Sequence, residues 1–382
     1  SSTTEGAASI SIAFSDVAGN AGTTVTATTN SSSVVIDRAV PTLSAVTISS
    51  NNAASTLAKV GDVVTLSITA SESIQTPTVN IGGIAATVSG SGSAYTATAT
   101  TTSSVTSGTI TFTVNYSDLS GNAGTQVTST TNSSTVTFDK TVPTLSAVTI
   151  SSNNTTSTLA KAGDVISVAI TSSESIATPT ITIAGQSATV TGSGTSYTGT
   201  YTVTSSTTEG AASISITFSD VAGNAGTTVT STTNSSSVVV DRTVPSAPTI
   251  TTQSTNNVTP TPTGAAEANA TVSVTINGST YTTTANGTGS WSVTTTGSLS
   301  AGTYSVTATA TDAAGNVSSA GSGSVTIDLT VPTLSAVTIS SNNTTSTLAK
   351  AGDVISVAIT SSESIATPTI TIAGQSATVT GS

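Results

Sequence analysis

Apolar residues recur at every second position along much of this chain. Ile110, Phe112, Val114 and Tyr116 alternate with Thr111, Thr113 and Asn115, and Ile214, Ile216 and Phe218 alternate with Ser215 and Thr217. Val64, Leu66, Ile68 and Ala70 alternate with Thr65, Ser67 and Thr69. A period of two sends successive side chains to opposite faces, so each run predicts a strand with one buried face. No window carries the 3.6-residue period of an amphipathic helix. Threonine is abundant and β-branched, which favours sheet, and a disordered chain has no reason to maintain the alternation.

The pattern itself repeats. Asp-x-x-Val-Pro occurs at Asp37–Pro41, Asp139–Pro143, Asp241–Pro245 and Asp328–Pro332, with proline spacings of 143 − 41 = 102, 245 − 143 = 102 and 332 − 245 = 87. Two long repeats, 41–142 and 143–244, are therefore followed by a shorter one of a second type, 245–331. Residues 332–382 are identical to 143–193, and residues 1–41 differ from 205–245 at four positions. Segment 1–40 reads as the last two strands of a repeat and 332–382 as its first strands. Joined tail to head, they would make one long repeat lacking only the equivalent of 194–204, as expected for a piece of a longer array or a fibre of neighbouring copies.

In repeat 41–142 the pattern places strands near Leu43–Ser49, Val63–Ala70 and Thr78–Ile81, two between Ala85 and Thr101, and two more near Thr109–Tyr116 and Thr135–Phe138. About seven short strands in about 100 residues, punctuated by Gly, Asn and Ser, predict an immunoglobulin-like β-sandwich. The fold class expected is all-β, with tandem sandwiches in a linear array. The Val-Pro linkers contain no Gly, which argues for stiff, extended joints.

Composition removes several functions. The 382 residues include no Cys, Met or His, which excludes thiol and imidazole chemistry and the usual zinc and haem ligands. Six Lys and Arg against 17 Asp and Glu give a net charge of −11, so a nucleic-acid partner is not expected. No apolar run reaches the length of a membrane-spanning helix.

The carboxylates carry the remaining chemistry, because they recur at fixed repeat positions. Asp16, Asp118, Asp220 and Asp312 open an Asp-x-x-Gly-Asn motif after the sixth strand. Asp37, Asp139, Asp241 and Asp328 end the seventh, Asp62, Asp164 and Asp353 precede the second, and Glu72, Glu174 and Glu363 follow it in Ser-Glu-Ser. In a sandwich, the loops after the second and sixth strands sit at the N-terminal end of the domain. The turn before the second strand and the end of the seventh sit at the opposite end. The first junction should therefore gather Asp37, Glu72 and Asp118. The second should gather Asp62, Asp139, Glu174 and Asp220, the third Asp164, Asp241 and Asp312, and the fourth Glu267, Asp328 and Glu363. Such clusters repel unless neutralised, and Ca²⁺ accepts six to eight oxygen ligands in flexible geometry. Asn122 and Asn224 are candidates to complete the shell. The competing reading makes Asp-x-x-Gly-Asn an Asx-stabilised turn and the other acids solvated charges. The six bases read as surface partners of these acids.

Further residues support a resemblance. The short repeat carries Gly264-Ala265-Ala266-Glu267-Ala268-Asn269-Ala270-Thr271-Val272, Gly289-Ser290-Trp291-Ser292-Val293, Ala301-Gly302-Thr303-Tyr304 and Thr311-Asp312-Ala313-Ala314-Gly315-Asn316. The long repeats carry Lys161-Ala162-Gly163-Asp164-Val165. The chain resembles the bacterial immunoglobulin-like repeats of giant secreted adhesins and biofilm-associated surface proteins. That resemblance implies Ca²⁺ at the domain joints and a rigid stalk on the bacterial surface.

The function expected is a non-catalytic, extracellular spacer in an adhesin or surface fibre, stiffened by Ca²⁺, with its tip ligand outside this segment. The alternatives are a self-assembling surface layer, sheath or matrix filament, and a carbohydrate- or receptor-binding module. The last generally needs exposed aromatic residues. Trp291, the one tryptophan, is expected in the core.

Overall fold

The computed structural model describes residues 4–381. Every regular element among them is a β-strand. The chain divides into two compact units, Ser1–Asp241 and Arg242–Ser382.

In the first unit, segment 41–142 forms a sandwich. One sheet runs in the order Leu43–Ser50, Val63–Ala70, Ala94–Thr100, Thr87–Ser91. Facing strands are Ile84–Ala85, Thr78–Ile81 and Phe112–Asn115, with a third small sheet of Gly108–Thr109, Thr137–Phe138 and Leu57–Ala58. The strand Leu57–Ala58 was not among those expected. It pairs in parallel with Thr137–Phe138, whereas the other named pairs are antiparallel. The sixth and seventh strands are shorter than expected, because the chain leaves the ladder after Asn115 and rejoins it only at Thr137.

The alternation predicts the core. Val64, Leu66 and Ile68 turn inward to meet Val46, Ile81, Val114 and Phe138, all buried, while Thr65, Ser67 and Thr69 remain outside. Segment 143–244 repeats the arrangement, with a core around Val148, Ile166, Val168, Ile181, Ile216 and Val240. Segment 4–40 contributes one short pair, Gly6–Ala7 with Val35–Ile36, and isolated bridges from Ile12 to Val25 and Ser15 to Ala21.

In the second unit, a five-stranded sheet of Gln253–Thr255, Gly321–Ile327, Gly302–Thr311, Thr271–Ile276 and Ser279–Thr284 is accompanied by a small sheet of Thr249–Ile250, Thr263–Ala265 and Ser290–Ser292. Asn277 and Gly278 both take positive φ, the backbone that a tight two-residue hairpin needs. Trp291 is buried in this core. It packs on Gly264, where an added Cβ would lie 2.6 Å from the indole Cζ2. Beyond it, Leu334–Ser341 pairs with Ile355–Ser361.

Candidate metal centres at the joints of the first unit

Three chain segments deliver acids to one point at the start of repeat 41–142. The first is the linker. Thr42 N donates to Ser71 Oγ at 3.0 Å, and Ser71 N donates back to the Thr42 carbonyl at 2.8 Å. The linker following Asp37 is thereby tied to the Ser-Glu-Ser loop that bears Glu72. The second is that loop, anchored by buried Ile74, whose N–H donates to Gly92 O at 2.9 Å and whose carbonyl accepts the Tyr95 hydroxyl at 2.9 Å. The third is the Asp-x-x-Gly-Asn turn. Asn122 donates its backbone N–H to Asp118 Oδ1 at 2.8 Å and its side-chain amide to Asp118 Oδ2 at 2.7 Å. The Asx-type turn is therefore real, and Gly121 at φ 94° supplies the backbone reversal that an L side chain would strain. Its Asp also reaches a cluster, because Ile74 and Asp118 form a β-bridge.

Asp37, Glu72 and Asp118 consequently offer carboxylate oxygens that lie within 4.8 Å of one another, and so do Asp139, Glu174 and Asp220. Asp118 and Asp220 are buried, and the other four acids are half-buried. Burial pushes the Glu72 carboxyl up, and repulsion from Asp37, Asp118 and Glu5 adds to the rise. Glu174 is raised in the same way by burial and then by Asp139 and Asp220. Burial alone would raise Asp118 too. Hydrogen bonds from the Asn122 side chain and from the Asn122, Ser120 and Gly121 amides outweigh it and hold that carboxyl below its ordinary range. Each cluster thus contains one Glu that resists ionising, and in the first it stands beside an Asp held as an anion.

A cation fits this donor set. Glu174 Oε1 is closed to solvent and has no hydrogen-bond partner, a costly state for a carboxylate oxygen. The asparagines donate through their side-chain amides. The Asn122 amide donates to Asp118 and to the Asp37 carbonyl at 3.2 Å, and the Asn224 amide to Asp220 and to the Asp139 carbonyl at 3.1 Å. Both side chains orient the acids and link the linker to the turn.

The other acids are distributed differently. Asp62 belongs to neither cluster. Its Oδ2 accepts from the Asn52 side chain and the Lys59 N–H, both at 2.8 Å, so a turn rather than a cation site occupies it. Asp164 accepts from Asn154 at 2.6 Å and forms an ion pair with Lys161 at 2.9 Å. Asp241 lies in the first unit, its N–H on the Ala160 carbonyl. Asp312, in the second unit, is held by Asn316 in the same turn as Asp118. Glu267 lies in the turn before Thr271–Ile276 and Asp328 accepts the Thr330 N–H. Glu363 Oε1 is closed to solvent and without a hydrogen-bond partner. Among the described residues, these last three do not form a three-acid group. Asn52 and Ser120 were missed by sequence reasoning. Ser120 Oγ donates to Asp37 Oδ2 at 3.0 Å, and Asn52 recurs ten residues before the same Asp as Asn154 and Asn343.

Residues 240–329 match the family profile described as a bacterial Ig-like domain. No curated protein matches the chain. Similar solved structures include a Ca²⁺-stabilized adhesin of an Antarctic bacterium, 24% identical over 84% of this chain and 81% of that one, with a TM-score of 0.38. They also include part of a 1.5-MDa bacterial ice-binding adhesin, 22% identical over 76% of this chain and 100% of that one, with a TM-score of 0.34. The I9–I11 tandem of titin is 10% identical over 71% and 94%, with a TM-score of 0.32. These superpositions are too loose to transfer a function. Segment 240–329 thus matches a bacterial Ig-like domain, within an all-β chain of immunoglobulin-like sandwiches.

Proposed function

We propose that this chain is a structural, non-catalytic segment of a bacterial extracellular adhesin or surface fibre, with joints that Ca²⁺ stiffens. The observation that carries the reading is the convergence of Asp37, Glu72 and Asp118, and of Asp139, Glu174 and Asp220, each drawn from a linker, a loop and a turn. A cation held by all three would tie the linker to the domain that follows it. Ca²⁺ suits hard carboxylate donors, and nearby carbonyls and water can fill the rest of its shell. The absence of Cys and His leaves oxygen as the main donor type and speaks against catalysis by those groups. The partners are neighbouring repeats.

Calcium titration of the full chain, followed by calorimetry and small-angle scattering, tests this. Binding near two sites in the first unit, with a narrower range of shapes in millimolar Ca²⁺ than in chelator, is the expected result. No heat and unchanged scattering would refute it.

A further inference from the structure

We infer that the Asn52–Asp62 pair is a docking element for the turn of the repeat that follows, and that it acts without the cation proposed above. The Asn52 side-chain amide has two hydrogens and uses both. One goes to Asp62 Oδ2 at 2.8 Å, and the other crosses to the carbonyl of Ala222 at 2.9 Å, 170 residues along the chain. The rest of Asn52 is fixed as well. Its Oδ1 accepts the Ala54 N–H at 3.1 Å and its own N–H donates to Ser50 Oγ at 3.1 Å. Asp62 is fixed in turn by the Lys59 N–H. The amide therefore waits in a single orientation, and little side-chain freedom remains to be lost on docking.

The partner surface is specific in shape. Ala222 is the third residue of the turn Asp220-Val221-Ala222-Gly223-Asn224, and it is 1% exposed while Val221 beside it is open to solvent. Gly223 has φ +90°, and a methyl built on it would lie 3.2 Å from Lys59 Cε. The element thus fits a tight turn with a small third residue, an accessible carbonyl at that residue, and glycine next. Turn 312–316 has the same small residue at that position, whereas turn 118–122 has Ser120, which bonds to Asp37 instead. The holder recurs too, as Asn154 on Asp164 at 2.6 Å and Asn343 on Asp353 at 2.8 Å. Asp62 is consequently a positioning residue that works through Asn52.

The chain has no cysteine, so Ser89→Cys and Thr191→Cys place one spin label on each long repeat of the full protein. The distribution of distances between them reports the freedom of the joint. Asn52→Ala removes the donor to Ala222 without setting a second charge beside Asp62. In chelator it is expected to raise the ratio of open to docked joints about five-fold, as loss of one partly buried hydrogen bond would. Ala222→Gln, which leaves repeat 41–142 untouched, is expected to broaden the same distribution. Distributions in chelator that are identical for wild type and both variants overturn the inference, whatever calcium does. A calcium effect missing from every protein would overturn the cation reading instead, and the chelator comparison would still decide this one.

Discussion

The same 51 residues occur twice in this chain, at 143–193 and 332–382, in different surroundings. Their first hairpins are alike. Leu145–Ser152 pairs with Val165–Ser172 in the register that Leu334–Ser341 keeps with Ile355–Ser361, and both carry a bulge after the first leucine. Their burial is not alike. Val148 and Ile150 are 0% and 6% exposed, whereas Val337 and Ile339 are 59% and 67% exposed. Register and turn are therefore local properties of this sequence. The core is not, because it requires Ile214, Ile216, Phe218 and Val240 from later in the repeat.

Paired substitutions at equivalent positions turn this comparison into measurements. The largest effect is expected for Ile166→Ala, which opens a cavity in the closed copy and should destabilise that repeat by about 2–5 kcal/mol. In a protein of these 382 residues Ile355→Ala, at the duplicate position and 37% exposed, should stay within about 0.5 kcal/mol. Denaturant unfolding monitored by hydrogen exchange distinguishes the two repeats, and equal costs would break the comparison.

Calcium gives the next largest effect. At about ten times its dissociation constant a cation bound only to the folded state adds about 1.4 kcal/mol. Glu174→Gln should abolish that gain for repeat 143–244 in differential scanning calorimetry. Glu363→Gln should leave it intact.

The pH dependence is smaller and has a definite sign. Glu174 is raised in the folded state, so in chelator its contribution is fully present below its unfolded pKa and is lost as pH rises through the folded one. Mild acid should therefore raise the melting temperature of the chelated closed repeat, and Glu174→Gln should remove that slope. Asp164 is lowered by Asn154 and Lys161 against the effect of its burial, so it acts oppositely, losing its contribution as pH falls through its depressed value. The smallest effect is expected for Lys161→Ala. Its ion pair is one-third exposed on the lysine side and should contribute no more than about 0.5 kcal/mol, with Lys350→Ala near zero by the same melting measurement.

Much of this architecture was legible because a period of two is a local signal. The strand Val63–Ala70 fell where its alternation placed it. Leu57–Ala58 did not, because two residues cannot show a period and its partner lies about eighty residues away. The acid clusters were legible from topology, which put Glu72 and Asp118 at one end of a sandwich before any distance was known. Asp62 went astray for a reason of finer scale. Sequence position does not tell a free carboxylate from one that already accepts from Asn52 and Lys59.

The parallel pairing of Leu57–Ala58 with Thr137–Phe138 has a mechanical side. Thr137 N and Asp139 N donate to Thr56 O and Ala58 O, both at 2.8 Å, and Val239 N and Asp241 N do the same with Thr158 O and Ala160 O in the next repeat. Tension that draws the outgoing strand along its own axis loads these bonds together, in shear, instead of peeling them one after another. The last residue so clamped is Asp139, whose carboxylate also belongs to the second acid cluster. Force leaving one sandwich would pass directly into the joint that grips the next.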